Sequence, residues 1–236
     1  MESTGFSRLK RFCAMLTVIL ATVAVSMSPP VLAAAPAHIA LVVHLNADGS
    51  LTLSQRDKDA GAVMTLPSIQ ALPAQVDALL PQAGDREKIA LAAEPAVPYG
   101  KFMKLMYMAK KAGFRGVGIL RSEKDPHGKP SEIDVDFRTE IPFPPPGEPL
   151  FVSLGEDGDV ILSLGIGESA HGTTAPLSGA LDAAKGLVPK GRPQKHAYFR
   201  ADSAVPTGTA IELLHKLTAI GFTKFGIVGE QADETP

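Results

Sequence analysis

The residues whose types could carry catalysis or hold a metal are few in this chain, and their spacing argues against both. Six histidines stand at His38, His44, His127, His171, His196 and His215. No two have the separation that puts a ligand pair on one helix face. A mononuclear site built from His196, His215 and an aspartate would depend wholly on the fold bringing them together. Ser169 and His171 are close neighbours in GESAHG, yet no strand–turn–helix elbow surrounds them, so the stretch is expected to be a loop. GIGES at 165–169 has the glycines of a phosphate loop but not the Lys-Ser/Thr pair that completes one; its glycines are expected to end a strand. The lone Cys13 excludes a disulfide or a cysteine-based zinc site within one chain. The expectation is a protein with no catalytic residue, no metal and no cofactor.

Binding chemistry is better represented. Lys101, Lys104, Lys110, Lys111 and Arg115 crowd one segment, whereas the corresponding later segment carries Glu212, His215, Lys216 and Lys224. The first set reads either as a face for an acidic ligand or as an ordinary solvated helix face. Met103, Met106 and Met108 in the same segment suit an adaptable binding surface or a core. The chain as a whole is not basic: 236 residues with a formal net charge of −2 give no global attraction to nucleic acid. Hydrophobic residues at 45% with charged residues at 20% fit a globular chain long enough for one large domain or two small ones.

The elements that position these residues begin after the first 37. Arg8, Lys10 and Arg11 precede the apolar run FCAMLTVILATVAVSM at 12–27, followed by Pro29, Pro30 and small residues. That order is a secretory signal pattern, with cleavage after Ala33. The alternative is an uncleaved anchor, the run falling just short of the usual spanning length of about 17–25 residues.

A repeat organises the remainder. AEPAVPYGKFMKLMYMAKKAGFRGVGIL starts at Ala93 and ADSAVPTGTAIELLHKLTAIGFTKFGIV starts at Ala201; ten of the 28 paired residues are identical at an offset of 108. Each copy has a strand, a Val-Pro pair (Val97-Pro98, Val205-Pro206), an amphipathic helix, a Gly-Phe pair (Gly113-Phe114, Gly221-Phe222) and a second strand. Proline suits the first position of a helix, and glycine past its end takes the left-handed turn that closes it. Tyr99-Gly100 and Thr207-Gly208 complete the two Val-Pro-x-Gly motifs. Upstream, ALVVHLNADGSLTLS and LFVSLGEDGDVILSL each read as strand, Asp-Gly turn, strand, followed by helices near 68–80 and 176–188. The fold class is therefore α+β: two tandem β-β-α-β-α-β domains, each a small mixed sheet with two helices on one face, at 38–121 and 149–230. Between them, 122–148 is an acidic, proline-rich linker. Its segment EIDVDFRTEI alternates apolar and polar residues and predicts an added edge strand. Residues 231–236 are a tail.

The Asp-Gly hairpin, the Val-Pro-x-Gly helix start, the Gly-Phe helix end and the closing GIL or GIV strand together resemble the periplasmic domain of the ExbD/TolR family. The resemblance runs over about 38–121 and again over 149–230. It implies a non-catalytic module of a TonB- or Tol-type biopolymer transport system. Family members have one transmembrane helix and work with an ExbB/TolQ-like membrane partner as a proton-driven motor. That motor energises TonB- or TolA-like proteins, and TolR-like members also engage peptidoglycan. This chain departs from the family in having no Asp or Glu between Glu2 and Asp48, so the membrane carboxylate needed for proton transfer is missing. The implied protein is exported to the periplasm and binds or scaffolds, and its two copies form an intramolecular pseudo-dimer. The alternatives are a membrane-anchored subunit working with an ExbB-like partner, and a small-ligand-binding protein or hydrolase that shares only the fold.

Overall fold

A computed structural model describes residues 41–55, 64–80, 86–124, 130–138, 148–165, 170–188 and 196–229. The signal-or-anchor segment, His38, His127, Ser169 and the proline run lie outside the described residues. Residues 39–236 form one compact unit.

The first half opens with a hairpin of β1 (Leu41–Leu45) and β2 (Leu51–Gln55), turning on Asp48 and Gly49. Gly49 has φ +87°, and the Asp48 carboxylate accepts the Ser50 N–H at 2.9 Å. A short β3 (Met64–Leu66) follows, then a 3-10 turn and α1 (Leu72–Leu79). The chain continues through β4 (Lys88–Ala93), α2 (Tyr99–Lys111) and β5 (Gly116–Lys124). After β6 (Pro130–Arg138) the second half repeats this order: β7 (Leu150–Leu154), β8 (Asp159–Leu164), β9 (His171–Pro176), α3 (Ala180–Leu187), β10 (His196–Ala201), α4 (Thr207–Ala219) and β11 (Lys224–Val228).

Two expectations are corrected here. Each half has a third strand, β3 or β9, where the sequence pattern predicted none. Residues 171–176 (HGTTAP) are exposed and carry almost no apolar signal; they are a strand because the β8 edge supplies a backbone ladder from Asp159↔Pro176 to Leu164↔His171. And the halves do not build separate sheets. The eleven described strands form one sheet in the order β3-β2-β1-β4-β5-β6-β11-β10-β7-β8-β9.

The joint is the linker strand β6, which is central and not at an edge. Val135 stands opposite Val117 of β5 in an antiparallel ladder and opposite Phe225 of β11 in a parallel one. Ile133 and Val135 are buried, whereas Asp134 and Asp136 between them are exposed, so the alternation seen in the sequence fixes which face meets the core. Across β5, Lys88 reaches over to Glu132 at 2.8 Å and to Asp134, tying β6 to the first half. The Glu132 carboxyl lies over Gly118, where any Cβ would meet it. At the equivalent Gly226 of β11 the covering group is the Tyr198 ring, which stacks on Phe151 at 5.3 Å.

One core serves both halves. Leu45, Leu91, Ile119, Phe199, Phe225 and Ile227 from alternate strand positions pack with Phe102, Leu105, Leu213, Leu214 and Leu217 from the helices. Strand alternation leaves the opposite sheet face without a described helix; Val42, His44, Ser153 and Ile161 lie there.

Candidate functional site: the paired Val-Pro-x-Gly turns

The two sequence motifs meet. Pro98 and Pro206 form an antiparallel β-bridge. Around it the Tyr99 N–H donates to Val205 O at 2.7 Å and the Thr207 N–H donates to Val97 O at 2.8 Å. One residue further on, Gly100 N–H donates to Ser203 O at 2.9 Å and Gly208 N–H to Pro95 O at 3.0 Å. Every helix begins with four N–H groups that have no partner inside it. In α2 and α4 the first two of these bond to the other half. The next two turn back to Pro98 O and Pro206 O, with Lys101 N at 3.0 Å and Thr209 N at 3.0 Å. Neither helix has a side-chain cap among the described residues; each half caps the other.

This bridge corrects the expected role of the prolines. Pro98 (φ −58°, ψ 137°) and Pro206 (φ −59°, ψ 130°) are N-cap residues, and the helices begin one position later, at Tyr99 and Thr207. The bridge holds both ψ angles extended. The expected helix ends are found as described for Gly-Phe. Gly113 and Gly221 have φ +90° and +105°, Phe114 N–H reaches back to Ala109 O, and Phe222 N–H to Leu217 O, each at 3.3 Å.

The bridge also explains why glycine follows at both x-Gly positions. A Cβ on Gly100 would stand 2.9 Å from Ser203 Cβ, and one on Gly208 would stand 2.7 Å from Pro95 Cβ. The glycines permit the backbones of the two halves to touch. Nothing local in the sequence could reveal this, because the contact is made across the chain.

The residues between Pro and Gly differ most. Tyr99 is buried, packed edge-on against Phe199 of the second half at 6.1 Å and beside Phe102 at 6.4 Å. Its hydroxyl finds no hydrogen-bond partner among the described residues, and burial pushes its pKa well up. Thr207 is equally buried but satisfied, its hydroxyl donating to Val97 O at 2.7 Å.

The basic set takes another position. Lys101, Lys104, Lys110, Lys111 and Arg115 are all exposed, along α2 from its first turn to just past its end. Met106 is core; Met103 and Met108 are half-buried against it. His196 on β10 and His215 on α4 do not converge: His196 pairs with the Lys224 position on a strand row facing away from the helices, and His215 is in the helical layer. His215 Nδ1 faces Ser131 Oγ at 3.4 Å, while its Nε2 is buried without a partner among the described residues. Burial and the neighbouring Arg121 lower its pKa. A shallow groove lies on the sheet face, lined by Asp134, Asp136, His196, Tyr198 and Lys224.

Comparison with known proteins gives one curated relative and several distant structures. Over 98 residues the chain is 32% identical to the biopolymer transport protein ExbD of Pseudomonas putida, covering 42% of this chain and 63% of that protein. The chain therefore spans less than two thirds of that relative. Solved structures give only faint similarity. The cytoplasmic domain of EpsL, from the type II secretion system of Vibrio cholerae, is 10% identical with a TM-score of 0.22, covering 77% of this chain and 94% of that one. The ethanolamine utilization protein EutJ from Carboxydothermus hydrogenoformans is also 10% identical, with a TM-score of 0.25 over 83% of this chain and 87% of that one. Scores this low support no shared fold. Residues 13–124, from within the N-terminal apolar run to the last residue of β5, match the family described as biopolymer transport protein ExbD/TolR.

Proposed function

We propose that this chain is a non-catalytic envelope module of an ExbD/TolR-type biopolymer transport system, in which the second half serves as a built-in partner for the first. The observation that carries this reading is the reciprocal capping at Pro98 and Pro206, where each half completes the helix start of the other. An isolated half would leave those N–H groups and the buried faces of Tyr99 and Thr207 without their partners, and an unmade buried bond costs about 1–3 kcal/mol. Both halves then count as family-like domains, 38–121 and 149–230, although the family match itself covers only the first.

In this reading the module binds or scaffolds and does not carry protons, because no Asp or Glu occurs between Glu2 and Asp48. Its expected partners are a TonB/TolA-like envelope protein or peptidoglycan, and its place is the periplasm after signal cleavage. Fractionation of the native host, with mass measurement and cross-linked capture of the mature chain, tests it. A soluble chain starting near Ala34 that retains a TonB/TolA-like protein or sacculus fragments supports the reading; capture of neither sinks it.

A second reading is favoured by one observation. The family match starts at residue 13, inside the apolar run at 12–27, which suits a retained N-terminal anchor paired with an ExbB/TolQ-like protein. An intact N-terminus in the membrane fraction decides for it.

A further inference from the structure

We propose that the outer face of α2 docks on an anionic lipid surface. The face carries Lys101, Lys104 and Lys111, with Arg115 just beyond the helix, all exposed and making no ion pair among the described residues. The helix itself contains no carboxylate. The adjacent α1 has one, Asp77, which is engaged by Arg86 at 2.9 Å.

The twin helix supplies the control. α4 has the same length and the same place in its half, so a merely solvated helix face would need no more charge on one than on the other. At the positions equivalent to Lys101, Lys104, Lys111 and Arg115 it has Thr209, Glu212, Ala219 and Thr223. Glu212 is paired with Lys216 at 2.8 Å. The positive face is thus a property of the first half alone.

The layout of the charge favours a bilayer over an acidic protein. From Lys101 to Lys111 the cations extend along about 15 Å of straight helix. Tyr107, 43% exposed, lies among them, an amphipathic ring of the kind that suits a headgroup layer. A row of separated cations fits a plane of diffuse negative charge. A groove shaped to grip a peptide lies elsewhere among the described residues, on the open sheet face, and is lined by Asp134 and Asp136.

The test uses the full chain with phosphatidylcholine vesicles and with 3:1 phosphatidylcholine:phosphatidylglycerol vesicles, binding being read by co-sedimentation. Neutral vesicles report whatever the apolar run contributes, so the ratio between the two lipids isolates charge. Each lysine at an anionic surface contributes about fivefold. The ratio is expected to exceed tenfold, to fall as NaCl is raised, to drop at least tenfold in K101E/K104E/K111E, and to survive in K101R/K104R/K111R. Unchanged circular dichroism and melting temperature show that the variants are folded. A wild-type ratio near one, or a ratio unaffected by K101E/K104E/K111E, overturns the proposal. So does binding to poly-glutamate without vesicle preference, which reassigns the face to an acidic protein. The inference is independent of which transport partner the module engages, and its failure leaves that reading standing.

Discussion

Gly208 is pressed against Pro95 of the other half so closely that a single added methyl would stand 2.7 Å from the proline Cβ and 3.0 Å from its Cα. Neither atom is the free end of a side chain, so the backbone itself must yield. Overpacking of this kind typically costs about 1–3 kcal/mol. Gly208→Ala is expected to lower unfolding free energy by about 2 kcal/mol in urea denaturation. Gly100→Ala, facing Ser203 Cβ at 2.9 Å, should act in the same direction. Gly186 in α3 provides the contrast, with nothing among the described residues within 4 Å of its added Cβ. There alanine is expected to stabilise by about 0.5–1 kcal/mol through helix propensity. If all three variants stabilise, the close approach of the halves is wrong.

Tyr99 and Thr207 occupy twin positions but should respond oppositely to loss of their hydroxyls. The Tyr99 hydroxyl is buried without a partner among the described residues, so Tyr99→Phe is expected to be neutral or to stabilise by about 1 kcal/mol. Thr207→Val removes a donor to Val97 O, yet that carbonyl keeps the Thr207 N–H at 2.8 Å, so the loss should stay near 1 kcal/mol. Burial raises the Tyr99 pKa in the folded state. Above the ordinary tyrosine value near 10, unfolding therefore releases a proton that folding retains, and stability falls as pH rises through that range. Titrating stability from pH 8.5 to 11 should show a smaller decline in Tyr99→Phe than in the parent.

His215 gives the opposite sign at the acid end. It is half-buried in α4, facing Ser131 of β6 and Arg121 of β5, with Glu212 and Lys216 on its own helix. Its folded pKa is lowered, first by burial and then by Arg121. The unfolded chain then binds the proton first, so stability present at neutral pH is lost as pH falls below about 6.5. Melting temperature between pH 7 and 5 is expected to fall in the parent and to fall less in His215→Gln. Equal slopes would show that His215 does not sense its neighbours.

How much of this was visible in the chain follows from the range of each interaction. Gly113 and Gly221 were legible because a helix end is a local event: a left-handed glycine and the apolar residue after it are adjacent in sequence. The β1–β2 turn was legible for the same reason, Asp48 and Gly49 both acting within the turn. Pro98 and Pro206 were misplaced by one position because their backbone angles are held by a bridge formed across 108 residues. β9 was missed because its ladder depends on the β8 edge, whereas its own residues, His171 to Pro176, are exposed and polar. The Val-Pro-x-Gly motif itself could be seen; its purpose could not, since the Pro95 and Ser203 backbones that require the glycines belong to the opposite copy.

β6 tests whether the halves are coupled through the sheet as well as through the turns. Val135 is 6% exposed and stands between Val117 and Phe225, so it contributes to the core on the ladder of each half. Val135→Asp places a carboxylate among those side chains, where an unpaired buried charge typically costs more than 3 kcal/mol. Because β6 is the strand that separates β5 from β11, the damage should reach both halves together. The expected result is one cooperative transition shifted to lower urea, with hydrogen-exchange protection falling in β4 and β10 alike. Loss of protection in only one half would mean that the sheet does not transmit stability across β6. The reciprocal helix caps at Pro98 and Pro206 would then be what joins the two copies.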